Sequence, residues 1–555
     1  MLGRGRFDRR RGPDAAARFR CIVRHGEGAA VHEFDYVVVG GGSAGCALAS
    51  RLSEDPSLSV CLVEAGGSGR SPLIDTPILF AVTVPRPIHN WALHTEPQPG
   101  LAGRRGYQPR GKALGGSSAI NAMVYMRGHP RDYDDWAAGG AAGWRWGDVL
   151  PVFKRGEHNE RGADAFHGTG GPLNVADLRA PNAASLAFVE AGVQSGHPRN
   201  RDFNGESQLG VGLYQVTQKN GRRWSAARAY LDRATGRPNL TVITGAHALR
   251  LRLEGRACTG VDTTRGTLRA RRETIVACGA FGSPQLLLLS GIGPREELAR
   301  HGIALAHDLP GVGRNLQDHP DYVIGYLSQA PGLLGLTPRG LMNLAGAIGA
   351  YLGSGSGLLT SNIAEAGAFL ASRPGLERPD LQLHFTIGLV ADHGRDRKPR
   401  YGFSCHVCVL RPKSRGSVGL SSPDPLAPPR IDPAFLAHED DAALLLRGVK
   451  RTLEILGQRA LDDFRGANVF GEEGKTDGAL MELVRRRADT IYHPVGTCRM
   501  GTDELAVVDP QLRVRGIERL RVADASVMPA LIGGNTNAPA MMIGERAADF
   551  IRASA

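Results

Sequence analysis

Residues 34–64, FDYVVVGGGSAGCALASRLSEDPSLSVCLVE, restrict the fold more than any other part of this 555-residue chain. Val37, Val38 and Val39 follow Tyr36 as a short apolar run of the kind used by a strand buried on both faces, and the run stops at glycine. Gly40, Gly42 and Gly45, with Ser43 and Ala44 between them, fit the dinucleotide fingerprint. In that fingerprint one glycine makes the tight turn, one lets backbone approach a pyrophosphate, and one lets the following helix lie against the strand. Ala44, Leu48 and Leu52 recur at helical spacing, and the polar stretch 53–56 ends the run. A second apolar strand, Val60 to Val63, ends at Glu64, where a carboxylate can accept hydrogen bonds from the hydroxyls of an adenosine ribose. An acid here, where an arginine would meet a 2′-phosphate, points to NAD or FAD and away from NADP.

The length predicts two or three domains. With 42% hydrophobic and 22% charged residues the composition is that of a globular protein, and no apolar run reaches eighteen residues. The stretch Gly340 to Gly353 is interrupted by Asn343 and reads as an amphipathic helix packed on the body. Part of the net charge of +12 lies in residues 1–33, which hold eight arginines against four acids and are expected to form a basic, disordered tail. That tail has no apolar core of a secretory signal; a transit peptide or a misassigned start are the other readings. Basic and aromatic residues do not interleave elsewhere as a nucleic-acid surface would require, so no nucleic-acid partner is expected. Cys405 and Cys408 resemble half a zinc site, but in the strand-like FSCHVCVL they point to opposite faces and no second pair follows. Neither a metal nor a disulfide framework is expected. A cytoplasmic location follows, with peripheral membrane association as its variant.

After Glu64 a proline-rich, irregular segment, residues 66–110, is of a length usually kept for function, here for wrapping an extended cofactor. It leads to Gly111-Lys112-Ala113-Leu114-Gly115-Gly116-Ser117-Ser118, and a helix is expected over Ala119 to Met126. Strands are expected at Leu240–Ile243, Leu249–Leu253 and Glu273–Ala277, followed by a helix with Ser283 as cap and Pro284 in its first turn. From about residue 316 to 489 alternation such as Leu381-Gln382-Leu383-His384-Phe385 indicates an antiparallel sheet, with a helix near 345 and another over 439–456. Near the C-terminus Leu520 to Asp524, with Ala525, forms a strand ending on an acid, and Gly533-Gly534-Asn535-Thr536-Asn537-Ala538-Pro539 opens the last helix.

The fold expected is mixed α/β: a Rossmann-like FAD-binding domain of glutathione-reductase type with an inserted substrate domain of antiparallel sheet and helices. The first would comprise residues 34–155, 235–315 and 490–555, the second 156–234 and 316–489. FAD is preferred to NAD because the chain departs after Glu64 where a contiguous second mononucleotide half would be expected, and supplies a strand ending on an acid near its C-terminus.

The sequence resembles the glucose-methanol-choline (GMC) oxidoreductases from Phe34 to Ile551. One family signature matches Gly111 to Asn121 and continues through Tyr125, Gly128 and Asp134; a second matches Gly279 to Leu287 and Ser290 to Gly293. Asn90-Trp91, Asn315-Leu316-Gln317-Asp318-His319 and Tyr492 to Gly501 look most like the choline and aliphatic alcohol dehydrogenase group. The resemblance implies oxidation of the CH–OH group of a primary alcohol, choline or an aliphatic or aromatic alcohol, to an aldehyde, by hydride transfer to flavin N5. His493 would be the base, with an ordinary pKa of about 6.5, and Asn535 the hydrogen-bonding partner of the substrate oxygen. It further implies cofactor contacts from Trp91, Gly111, Gly115 and Ser117, and from Asn121, Ala122, Met123 and Val124. Others are implied at Ala248, Asp524, Ala525, Thr536, Asn537 and Pro539. Some members tether the flavin through a histidine at the position of Ile120, so FAD is expected to be non-covalent here. The electron acceptor, O2, a quinone or another, is not declared by any motif. The alternatives are a non-redox enzyme cleaving cyanohydrins on the same scaffold, and a protein that binds NAD.

Overall fold

The computed structural model describes residues 32–396 and 398–554. The tail expected over residues 1–33 falls almost wholly outside them; His32 and Glu33 open the first strand. In chain order the elements that frame the site begin with β1 (His32–Val39), α1 (Ser43–Leu52), β2 (Val60–Glu64) and β3 (Gly210–Leu213). They continue with β4 (Leu240–Thr244), β5 (Ala248–Glu254), β6 (Ala257–Thr263), β7 (Gly266–Val276) and α2 (Gly279–Leu289). Next are β8 (Pro320–Leu327), β9 (Ala364–Leu370), β10 (Leu381–Thr386), β11 (Tyr401–Val409) and α3 (Glu439–Leu456), then β12 (Asp489–Thr490), β13 (Leu520–Val522) and α4 (Asn537–Ala553).

The first sheet runs β4-β2-β1-β7-β6-β5, with β13 also on β7. Its pairs β4/β2, β2/β1, β1/β7 and β7/β13 are parallel, and β5 and β6 add an antiparallel edge. Val37, Val38 and Val39 are buried on both faces, as their unbroken apolar run requires. Each contributes about 1.5–3 kcal/mol by leaving water.

The second sheet runs β12-β8-β11-β10-β9-β3 and is antiparallel throughout. Because side chains alternate along a strand, this sheet has two different faces. Tyr322, Ile324, Leu381, Leu383, Phe385, Cys405 and Val407 form one face and pack in a core with Leu445, Val449 and Ile455 of α3. Cys408 belongs to a separate cluster with Val124 and Tyr214 on the other face, so Cys405 and Cys408 do point apart. Helix α3 starts where the sequence marks it, with His438 accepting from Asp440 N and three acids in the first turn against the positive helix end.

Three local expectations are corrected. No helix forms over 119–126: a 3₁₀ turn covers Gly116–Ala119 and the chain then runs extended. Its carbonyls and amides are taken by distant partners, Ala122 O by Asn362 Nδ2, Met123 O by Thr217 N and Tyr125 N by Gln215 O. Helix α2 begins at Gly279, before Ser283, and Pro284 lies inside it. Proline cannot donate to Ala280 O, and the Thr497 hydroxyl does so instead at 2.7 Å. The segment near 345 is two helices, Pro338–Gly346 and Ile348–Ser354, which pack on the body through Leu344 but leave much of their apolar surface outward. Asn343 turns inward to Leu333 O and the Tyr401 hydroxyl, while Leu341, Met342, Ile348 and Leu352 are exposed. Among the described residues no helix is long and apolar enough to cross a membrane.

Candidate active site

The strand–turn–helix unit builds one end of the site. Gly40 has φ +108°, and a Cβ on Gly45 would sit 2.0 Å from Gly40 O, so α1 approaches the turn at a distance only glycine allows. The Glu64 carboxylate accepts from Gly41 N at 3.0 Å and Gly66 N at 2.7 Å, which ties the two ends of the loop together. Burial pushes its pKa up to about 7. A Cβ on Gly42 would meet only Ala277 O, at 3.8 Å, and would otherwise stand in open cavity.

From this turn a cavity of about 900 Å³ runs through the molecule to His493. The N-terminal ends of α1, α2 and α4 all open on it, at Gly42, Gly279 and Thr536. The Ser43 hydroxyl donates to Asn537 Oδ1 at 2.7 Å and joins two of these helix starts. Helix dipoles directed at one channel, two of them from starts without a side-chain cap, at α1 and α4, favour an anion along it. The channel, with the Glu64 carboxylate at one end, open space beside Gly42 and helix starts between them, fits an extended dinucleotide such as FAD.

At the far end the imidazoles of His493 and His319 meet, Nδ1 to Nδ1, at 2.9 Å. His319 Nε2 faces the carbonyls of Leu410 at 2.9 Å and Ile532 at 3.1 Å, which accept only, so Nε2 carries the proton. Burial holds the His319 pKa down to about 4, so the ring is neutral and its Nδ1 is an acceptor. His493 Nδ1 must then donate to it, and Nε2 of His493 keeps a free lone pair. That lone pair lies 3.1 Å from Asn535 Nδ2, while Asn535 Oδ1 accepts from Gln382 Nε2 at 3.0 Å. Burial, then the neighbouring histidines and Arg110, hold the His493 pKa well below the usual histidine value. The backbone is fixed as well. His493 N donates to Asp318 Oδ1 at 2.8 Å, Pro494 follows, and Tyr492 before it has φ +77°. A non-glycine residue in that region costs about 1–3 kcal/mol and persists only where neighbours enforce it. Here Thr490 Oγ1, His393 Nδ1 and Arg110 all bind Tyr492.

Of the residues singled out in the sequence, the cavity is lined by Gly40, Gly42, Ser43, Ala44, Glu64, Trp91, Gly111, Ser117, Asn121 to Val124, Ala248, Asp524, Ala525 and Asn535 to Asn537, together with His493. Gly45, Gly115 and Pro539 stand behind the wall. The Asp524 carboxylate is already engaged by Gly279 N, the Ser283 hydroxyl and Ser526 N, so it shapes the start of α2. Four site residues had no role in the sequence reading: His319, Gln382, His384 and His406. Gln382 and His384 had a signal, since each is a polar residue alternating with apolar neighbours in LQLHF, on the sheet face away from α3.

A family model described as GMC oxidoreductase matches residues 34–321, and its C-terminal counterpart matches 412–544. An alcohol dehydrogenase [acceptor] of Pseudomonas putida is 46% identical over 530 residues, 93% of this chain and 95% of the relative. An oxygen-dependent choline dehydrogenase of Rhizobium etli is 45% identical over 525 residues, with the same coverage. Pyridoxine 4-oxidase from Mesorbium loti superposes with TM-score 0.84 at 33% identity over 94% of this chain and 99% of that one. A formate oxidase of Aspergillus oryzae, from a study of its FAD modification, gives TM-score 0.86 at 28% identity over 94% and 98%.

Proposed function

Since this chain belongs to the GMC oxidoreductase family, and FAD is its cofactor, we propose that it oxidises the CH–OH group of a primary alcohol to an aldehyde with His493 as the base. The observation that carries this reading is the His493 Nε2 lone pair facing the Asn535 amide at 3.1 Å. A hydroxyl placed beside the pair, within reach of both, would donate to His493 Nε2 and accept from Asn535 Nδ2, replacing the bond that the amide makes to the ring. Asn535 thus orients the oxygen and steadies the negative charge that grows on it as the proton leaves, while Gln382 keeps the amide turned the right way. Bound FAD supplies the acceptor for the hydride that leaves the same carbon, so two electrons and two hydrogens depart and a carbonyl results.

Gly40, Gly42, Glu64 and the starts of α1 and α4 would hold the dinucleotide. Ile120, which lines the cavity, has no nucleophile, so the cofactor is held without a covalent bond at that position. The substrate relations of the two dehydrogenases support an alcohol, choline included, as the substrate class.

The test is an anaerobic visible spectrum of the purified protein before and after a panel of primary alcohols. Flavin absorbance that bleaches, and that survives unbleached in His493→Ala, is the expected outcome. A yellow protein that no alcohol bleaches would overturn the reading and return the site to the lyase alternative.

A further inference from the structure

The cavity end near His493 is floored by the polar face of the second sheet. His384 on β10 and His406 on β11 are direct cross-strand partners, and both line the cavity. Directly opposed residues share a face with Cβ atoms about 4.5–5.5 Å apart. His384 Nε2 lies 3.5 Å from Asn535 Nδ2, so the floor starts at the reacting centre and continues outward to His406.

Behind His406 is a carboxylate. Asp321 Oδ2 accepts from His406 Nδ1 at 2.7 Å, Asp321 is 4% exposed, and it does not line the cavity. The imidazole therefore covers the acid. His406 is itself only 7% exposed, and among the described residues its Nε2 has no hydrogen-bond partner. His384 Nδ1 is likewise buried and unpartnered among them. The third histidine here, His393, is fully used, with Nδ1 on the Tyr492 hydroxyl at 2.6 Å and Nε2 on Asp489 Oδ2 at 3.1 Å. Two of the aromatic faces along the same cavity are already covered by cations, Trp91 by Lys112 and Phe281 by Arg110.

A quaternary ammonium group needs a bare carboxylate or an open aromatic face. This floor offers neither. It offers an imidazole edge, oriented by an acid, one strand spacing (about 4.8 Å) past His384. We propose that His406, held by Asp321, is the receptor for a second oxygen function of the substrate, so that the alcohol oxidised is a short-chain diol or hydroxy acid. The two candidates share the chemistry of an oxygen at hydrogen-bonding distance from Nε2. A hydroxyl donates to the neutral ring, and a carboxylate accepts from the protonated one. The proposal rests on the alcohol-oxidation reading of the same site.

The experiment separates the two. His493→Asn holoenzyme binds without turnover, and dissociation constants are read from the shift of the flavin visible band with 1-butanol, 1,4-butanediol, 4-hydroxybutyrate and choline. The diol or the hydroxy acid is expected to bind at least tenfold more tightly than butanol and choline, and adding His406→Phe is expected to erase that margin. Which of the two wins identifies the second function. Butanol or choline binding as tightly as both, or a margin that survives His406→Phe, overturns the proposal. If His406→Phe does not fold, the ranking with His406 present decides alone. Anaerobic reduction of the unsubstituted enzyme by the same four compounds is scored separately. A ranked binding series with no flavin reduction sinks alcohol oxidation and leaves the subsite standing, whereas reduction with a flat series does the reverse.

Discussion

His319 and His493 share one proton between their Nδ1 atoms, and the two backbone carbonyls behind His319 decide which ring holds it. Two main-chain oxygens, at Leu410 and Ile532, thus fix the tautomer of a ring they do not touch. His319→Ala removes that control and leaves His493 free to place its proton on either nitrogen. A fall in kcat of about tenfold or more, some 1.4 kcal/mol of barrier, is expected, with KM changing less. Stopped-flow reduction of the flavin by alcohol measures it. His493→Ala, which removes the proposed base itself, should cost about 10²–10⁴-fold.

The same burial sets the pH dependence. A base works only when unprotonated, and the folded site holds the His493 pKa below the ordinary value, so acid must go further to silence it. The rate of flavin reduction is therefore expected to stay level as pH falls through about 6.5, with its acid limb below that point. A limb centred at 6.5 or above would contradict the neutral, desolvated ring. His319→Ala opens the ring to water and should move the limb upward.

Glu64 ties the turn together and in the proposed cofactor site would also receive the ribose, and Gln at that position keeps only part of each role. Glu64→Gln preserves one acceptor oxygen but places an amide against Gly41 N or Gly66 N, both of which need an acceptor. A charge-assisted hydrogen bond contributes about 1.5–3 kcal/mol, so FAD affinity should drop roughly 10- to 100-fold. Titration of the apoprotein followed by quenching of flavin fluorescence reads this directly.

Helices α1 and α4 touch backbone to backbone. A Cβ on Gly544 would lie 2.3 Å from Ala44 O, and the obstacle is main chain that cannot swing away. Gly544→Ala should destabilise the protein by about 1–3 kcal/mol, visible as a lower Tm of the holoenzyme. An unchanged Tm would mean that the helices have room to part.

What could be read from the sequence was what neighbours in the chain decide. Gly40 to Gly45 and Glu64 declare a strand, tight turn, helix and strand because these are consecutive, and α3 is marked by its own cap and acids. The helix expected over 119–126 failed because Arg223, Asn362 and Thr217, far away in sequence, claim that stretch's hydrogen-bonding groups, Arg223 through the Asn121 side chain. The start of α2 was hidden for a similar reason: Pro284 reads as a first-turn residue unless one knows that Thr497 will serve Ala280 O. Alternation in LQLHFT shows that Gln382, His384 and Thr386 share a face, but not that this face looks onto a reaction cavity. The contact of His319 with His493 spans 174 residues of sequence and leaves no local trace.

The first sheet has an order of assembly that differs from the order of synthesis. β1, α1 and β2 are made at the start, yet α1 packs on α4, and β13 completes the sheet beside β7. At about 5–20 residues per second, the apolar face of α1, with Leu48 and Leu52, waits on the order of a minute for residues 520–553 to leave the ribosome. Since Asn535 to Asn537 line the same cavity as Gly40, loading of the dinucleotide in the proposed site would be a post-translational event. A chain that stalls or is cut in its last forty residues carries an intact fingerprint and no place for the cofactor.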